Sequence, residues 1–173
     1  MNTRRLVLMS LFIALSAVGG FVKIPSPTGT IAFDSLPGYL GAVILPGWQG
    51  AVIGALGHLF SAWTVSFPLG FALHTYIGLQ MAIYVSIFGL LFKKGHKLFA
   101  IVTAIILNGV IAPALLIPII GTGIFWTLLL PLIVGSAANI IIAAILANSS
   151  IIKKVGEEID VEEAGKLSGL NNN

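Results

Sequence analysis

Apolar residues fall in long runs along this chain, and the breaks between the runs predict its elements. The first run is Leu6–Val22. A short one, Leu36–Leu45, stops at Pro46-Gly47. A third, Ala51–Phe67, is closed by Pro68. The fourth, Leu69–Phe92, is closed by the polar cluster Lys93-Lys94-Gly95-His96-Lys97. The fifth, Leu98–Ile120, ends at Gly121-Thr122-Gly123, and the sixth, Ile124–Ala147, precedes a polar tail. Crossing a hydrocarbon layer takes about 20 helical residues. The fourth, fifth and sixth runs meet that length, whereas the first and third are slightly short. The second is too short to cross alone and reads as a half-helix packed inside protein, where irregular backbone is tolerated. The first run, with Arg4 and Arg5 ahead of it and small residues at its end, has the outline of a signal peptide. More apolar sequence follows it, so it is expected to be a retained first transmembrane helix.

Composition narrows the class. Hydrophobic residues make up 57% of the 173 positions and charged residues only 9%, with a mean hydropathy of +1.05. Soluble domains carry about 25% charged residues, so a soluble fold, a disordered chain and a coiled coil are all excluded. The expected fold is an all-α integral membrane protein, a six-transmembrane-helix bundle with both termini cytoplasmic. With six crossings, the inner loops hold Arg4, Arg5, Lys93, Lys94, Lys97, Lys153 and Lys154, and the outer loops only Lys23. That asymmetry satisfies the positive-inside rule; dropping the short second crossing would reverse everything after it. The net charge of +3 therefore reports orientation and leaves no basic stripe for nucleic acid. Residues 1–152 are expected to form the membrane domain. Residues 153–173, with Glu157, Glu158, Asp160, Glu162 and Glu163, are expected to form a solvated or frayed cytoplasmic tail.

Polar residues inside so apolar a chain are informative because they cost energy there. Asp34 is the one formal charge between Lys23 and Lys93. It, or Ser35, is placed to cap the second helix, or Asp34 accepts a hydrogen bond from a ligand under the outer loop. His74 lies near the outer end of its span, and His58 lies deeper in the third. Neither belongs to a HExxH motif or an i, i+4 pair, so no metal is expected. For His58 the preferred reading is a histidine satisfied by a neighbouring helix. A pocket role is equally open for His74. Asn108 and Asn139 read as interhelical hydrogen-bonding amides, with Asn108 also able to face a ligand. Gln80 reads as structural. Trp63, Phe67, Tyr76, Phe125 and Trp126 fall toward the outer side, as an interfacial belt or a stacking wall for a flat heterocycle. Tyr39 and Trp48 read as belt residues near the inner side. In the first helix Ser10 and Ala14, then Ser16 and Gly20, are small residues four apart, a spacing that lets helices approach closely.

Chemistry is conspicuous by what is missing. The sequence has no cysteine, P-loop, GxSxG elbow or paired intramembrane carboxylates, so neither ATP hydrolysis nor a catalytic nucleophile is expected, and no cofactor. A small membrane enzyme built on His58, His74 and Asp34 is the rival of a different class; it needs two of these groups within hydrogen-bond reach of each other.

From Arg4 to about Lys154 the chain resembles the substrate-binding S component of energy-coupling factor (ECF) vitamin transporters. The resemblance is carried by size, helix count, the small residues of the first helix and the outer loop Ile24-Pro25-Ser26-Pro27-Thr28-Gly29. The runs Ser35-Leu36-Pro37-Gly38-Tyr39-Leu40, Gly54-Ala55-Leu56-Gly57-His58-Leu59 and Phe67-Pro68-Leu69-Gly70-Phe71-Ala72-Leu73-His74 look most like members thought to import α-ribazole or dimethylbenzimidazole, precursors of cobalamin. The resemblance implies a bacterial cytoplasmic-membrane receptor that captures a vitamin outside and docks on a T subunit driven by two ATPase subunits. It further implies a pocket drawn from Asp34, Trp63, Phe67, His74, Tyr76, Asn108 and Trp126. Asp34 and His74 would anchor ribose or a ring nitrogen, and Trp63 or Trp126 would stack. Docking would use Ser10 and Ala14, with Val18 standing where a further small residue is expected. The same machine carrying riboflavin, thiamine or pantothenate is the nearest alternative.

Overall fold

The structure, a computed structural model, describes residues 3–26 and 29–170. Helix α1 (Thr3–Gly19) is followed by an antiparallel hairpin of β1 (Lys23–Ser26) and β2 (Gly29–Ala32), with Lys23 opposite Ala32 and Ser26 opposite Gly29. Then come α2 (Leu36–Ile44), α3 (Gln49–Trp63) and α4 (Phe71–Lys93). Helix α5 (Lys97–Ile120) is interrupted by a π-helical turn at Leu107–Ile111, α6 spans Thr122–Ala147, and α7 spans Ser150–Leu170. The expected long outer loop is thus a two-stranded ribbon. Its Pro27 and Thr28 lie outside the described residues, as do Asn171, Asn172 and Asn173.

Among the described residues, three helices are long and apolar enough to cross a membrane: Phe71–Lys93, Lys97–Ile120 and Thr122–Ala147. The other expected crossings are shorter, with 17 residues in α1, 15 in α3 and 9 in α2. At 1.5 Å per residue, α2 is only about 14 Å long. It is the half-helix its sequence suggests, walled in by protein, with seven of its nine residues buried.

Helix direction follows from which residues meet. Ser16 lies beside Gly57 and Gly20 beside Ser61, so α1 and α3 run the same way. Gly38 meets Gly54 while Ala42 meets Gly50, so α2 runs against α3; α4 does too, with Gly54 against Met81 and Gly78 against Ala55. Glycine is required where backbones touch: a Cβ on Gly50 would fall 2.6 Å from Ala42 Cα, and one on Gly57 2.7 Å from Ser16 Cβ. Small residues of this kind let helices pack closely where lipid supplies no hydrophobic drive between them. Ser16 and Gly20 are therefore spent on an internal contact, whereas Ser10 and Ala14 are exposed on the opposite face of α1.

The alternation leaves the bundle with two unlike ends. One carries the hairpin, the α3–α4 turn and the α5–α6 turn. The other gathers Arg4, Arg5, Lys93, Lys94, Lys97, Lys153 and Lys154. At this basic end Lys93 Nζ donates to the Leu45 carbonyl at 2.6 Å, capping the end of α2, and Lys97 Nζ donates to Asn148 Oδ1.

Two expectations are corrected here. The polar tail is helical rather than frayed: Ile159 is fully buried, Arg5 donates to the Ile159 carbonyl at 3.2 Å, and Arg4 pairs with Glu158 at 2.6 Å. Ile152, Val155 and Ile159 supply the apolar stripe that seats α7. Tyr39 is a core residue rather than a belt residue. It has 0% exposure and its ring meets Phe88 edge-on at 5.2 Å. Trp48 is exposed, as a belt residue would be.

Candidate functional site

A cavity of about 420 Å³ opens inside the half of the bundle nearest the hairpin, within the range usual for small-molecule pockets. Periodicity explains how α6 lines it: Ile124, Thr127, Leu128, Pro131, Gly135 and Ser136 recur at helical spacing on one face. Pro131 has no N–H to donate, so the Thr127 carbonyl on that face loses its usual helical partner. On α5 the π-helical turn presents Asn108 to the cavity, followed by Ala112, Pro113 and Leu116. Such turns inside α-helices are frequent at functional sites.

The segment between the hairpin and α2 carries the only carboxylate among the described lining residues, Asp34. It stands close to Ser61 of α3 and to the backbone of Ser35. Ser35 occupies the cap position of α2 but makes no side-chain cap bond. The capping group comes instead from α6: Asn139 Oδ1 accepts from the Leu36 N–H at 2.9 Å. The same amide donates through Nδ2 to the Ala32 carbonyl at 2.9 Å and to the Gly135 carbonyl at 2.8 Å. One buried side chain thereby grips the chain on both sides of Asp34. Asn139 does the interhelical work expected of it, and half of the capping expected of Asp34 or Ser35.

His74 lines the cavity and is paired with a residue the sequence reading had assigned to a structural role. His58 Nε2 and His74 Nδ1 lie 3.2 Å apart, and the Leu69 N–H donates to His74 Nε2 at 3.4 Å. The two imidazoles thus share one hydrogen bond, and the Leu69 N–H closes the other side of the His74 ring. The pairing was available from the sequence, since His58 stands eight residues before Ser66 and His74 eight after it, across an antiparallel turn. It also meets the distance condition set for the enzyme alternative.

Gln80, which reads as structural from the sequence, also lines the cavity. It is 5% exposed, and neither Oε1 nor Nε2 has a hydrogen-bond partner; Ser136 Oγ, at 2% exposure, has none either. Both face a predominantly apolar wall.

Of the expected pocket residues, Asp34, His74 and Asn108 line the cavity together. Trp63, Phe67, Tyr76 and Trp126 are not among its lining residues. Trp63 and Trp126 are 64% and 72% exposed on the bundle surface, where an interfacial belt belongs. Phe67 stands behind His74, its ring 5.7 Å from the imidazole. The α3–α4 turn that holds it is unusual, with Ser66 and Phe67 both left-handed (φ 59° and 50°) although neither is glycine.

Residues 4–149 match a family model described as ECF transporter, substrate-specific component. No curated protein matches the sequence.

Proposed function

The chain belongs to the family of ECF transporter substrate-specific components, and we propose that it captures α-ribazole or a related cobalamin precursor at the outer face of a bacterial cytoplasmic membrane. The family is one of transporter components rather than enzymes, and its members bind a small-molecule substrate and associate with T and ATPase subunits. The paired histidines therefore read as part of a binding wall rather than as a catalytic couple.

The observation that carries the proposal is the cavity itself, enclosed between the hairpin and helices α3 to α6, with Asp34, His74 and Asn108 on its wall. In this reading the bundle crosses the membrane six times, with the basic end and both termini cytoplasmic, as the positive-inside rule favours. The hairpin end then faces outward and the cavity receives its ligand from outside. Asp34 accepts from ligand hydroxyls, and His74 and Asn108 border the ring. The exposed Ser10 and Ala14 face of α1 is the docking surface for the T subunit, while residues 153–173 form the cytoplasmic extension.

Binding of candidate vitamins to the purified protein tests this. α-Ribazole is expected to shift thermal stability and to lose affinity in Asp34→Asn. A shift with riboflavin and none with α-ribazole or dimethylbenzimidazole overturns the ligand assignment. Labelling that finds the Lys93–Lys97 turn on the outside of intact cells overturns the topology.

A further inference from the structure

The charge and hydrogen-bonding inventory of the cavity carries the reading of its ligand further, and this inference rests on the capture role proposed above. Among the described lining residues none is Lys or Arg, and the one formal charge is the Asp34 carboxylate. A ligand carboxylate or phosphate would enter a wall that offers no cationic side chain to replace its water, and a buried charge left unpaired in that way is costly.

The unpartnered groups say what the cavity accepts instead. Gln80 presents an amide donor and acceptor side by side, and Ser136 adds a hydroxyl that can play either part. Buried polar groups of this kind are ordinarily hydrogen-bonded. Gln80 lies six residues beyond His74 along α4, about 9 Å deeper at helical rise. Asp34, close to Ser61 on α3, belongs to a shallower level, because Gly78 meets Ala55 and Leu59 while Ser61 lies nearer the α3–α4 turn. The cavity thus offers an acidic acceptor and, on α4, the Gln80 amide at a deeper level, while the Ser136 hydroxyl stands on the α6 wall one turn before Asn139, which grips the chain on both sides of Asp34.

We propose that Gln80 and Ser136 are specificity-determining contacts for the ligand, Gln80 at its deep end, and that the cavity admits an uncharged or cationic hydroxylated heterocycle, a nucleoside in type, while rejecting its phosphate ester and carboxylated vitamins. The site reads a free nucleoside and discriminates against a nucleotide. Consequently, a phosphorylated precursor must lose its phosphate by hydrolysis before this protein takes it up.

Matched pairs of probes test the charge rule on the full-length protein in detergent or nanodiscs: α-ribazole against its 5′-phosphate, and riboflavin against riboflavin 5′-phosphate, with pantothenate as a carboxylate probe. Whichever neutral compound binds, its phosphate is expected to bind about 100-fold more weakly or worse. Equal or tighter binding of a phosphate or of pantothenate overturns the inference while leaving the capture role intact. A chain that binds neither member of either pair, nor pantothenate, overturns both. Gln80→Met tests the deep contact. It is expected to lower affinity for the neutral ligand about 10-fold while the ligand-free protein melts no lower than the parent, since an unpaired amide has been removed. If Gln80→Met instead lowers the melting temperature of the ligand-free protein and leaves affinity unchanged, Gln80 is structural and the assignment falls.

Discussion

Replacing Asn139 with leucine asks whether one amide holds the floor of the cavity. The side chain is 2% exposed and makes three bonds: to the Leu36 N–H, the Ala32 carbonyl and the Gly135 carbonyl. The Gly135 carbonyl is also the ordinary helical acceptor for the Asn139 backbone N–H, so its loss is small. The other two groups lie at element ends, Ala32 closing β2 and Leu36 opening α2, and are left without that partner. Each stranded buried group costs about 1–3 kcal/mol, giving roughly 2–6 kcal/mol for Asn139→Leu. At about 2–4 °C per kcal/mol for a chain of this size, melting falls by roughly 4–24 °C. Thermal denaturation in detergent measures this, and amide hydrogen exchange locates it. The Leu36 amide is expected to lose protection well beyond the α6 amides around it. Ligand affinity falls as well, because Ala32 and Leu36 bracket Asp34. A variant that melts within 1 °C of the parent, with Leu36 still protected, would refute the role assigned to this amide.

Three further expectations follow from the packing and the charges. Gly50→Ala drives a Cβ to 2.6 Å from Ala42 Cα, and overpacking against backbone is expected to lower stability by about 1–3 kcal/mol in the same melting assay. Trp126→Ala is expected to leave ligand affinity within about threefold of the parent, as an exposed residue outside the cavity should; a loss as large as that of Asp34→Asn would place the indole at the ligand after all. Glu158 is held below the ordinary value of 4.5 by the hydrogen bond from Arg4. A carboxyl depressed in the folded state contributes stability above its unfolded value and loses that contribution as pH falls through the lowered folded value. Protection of α7 amides, corrected for intrinsic exchange, is therefore expected to be level between about pH 6 and 7 and to decline below 4.5, and Glu158→Gln is expected to remove that decline.

Breakers placed the bundle helices well. Pro46-Gly47, Pro68, the Lys93–Lys97 cluster and Gly121 all fall between helices in the structure, because a helix interior tolerates Pro and Gly poorly. Which side of a helix faces inward was far less legible. In α4, apolar residues surround the whole circumference, so hydropathy does not separate the lipid face from the core face. That is why Tyr39 read as a belt residue, and why Trp63 and Trp126 were open to either role. The position of Gln80 on the cavity wall was not legible, because an amide in an apolar span has the same letter whether it ties helices together, as Asn139 does, or stands unpaired in a cavity. The α7 helix was legible only in part. Its acids advertise solvent, whereas Ile152, Val155 and Ile159 recur at the spacing of a buried stripe.

The clasp between α1 and α7 sets the order of events during synthesis. Arg5 reaches a carbonyl 154 positions later in the chain. A ribosome adding about 5–20 residues per second delivers that carbonyl roughly 10–30 s after Arg5. Throughout that interval the basic end of the first helix is without this bond, and the clasp closes only after the rest of the bundle has been made. A ribosome that stops short of residue 159 releases a chain in which all the long apolar helices are present and this clasp is not.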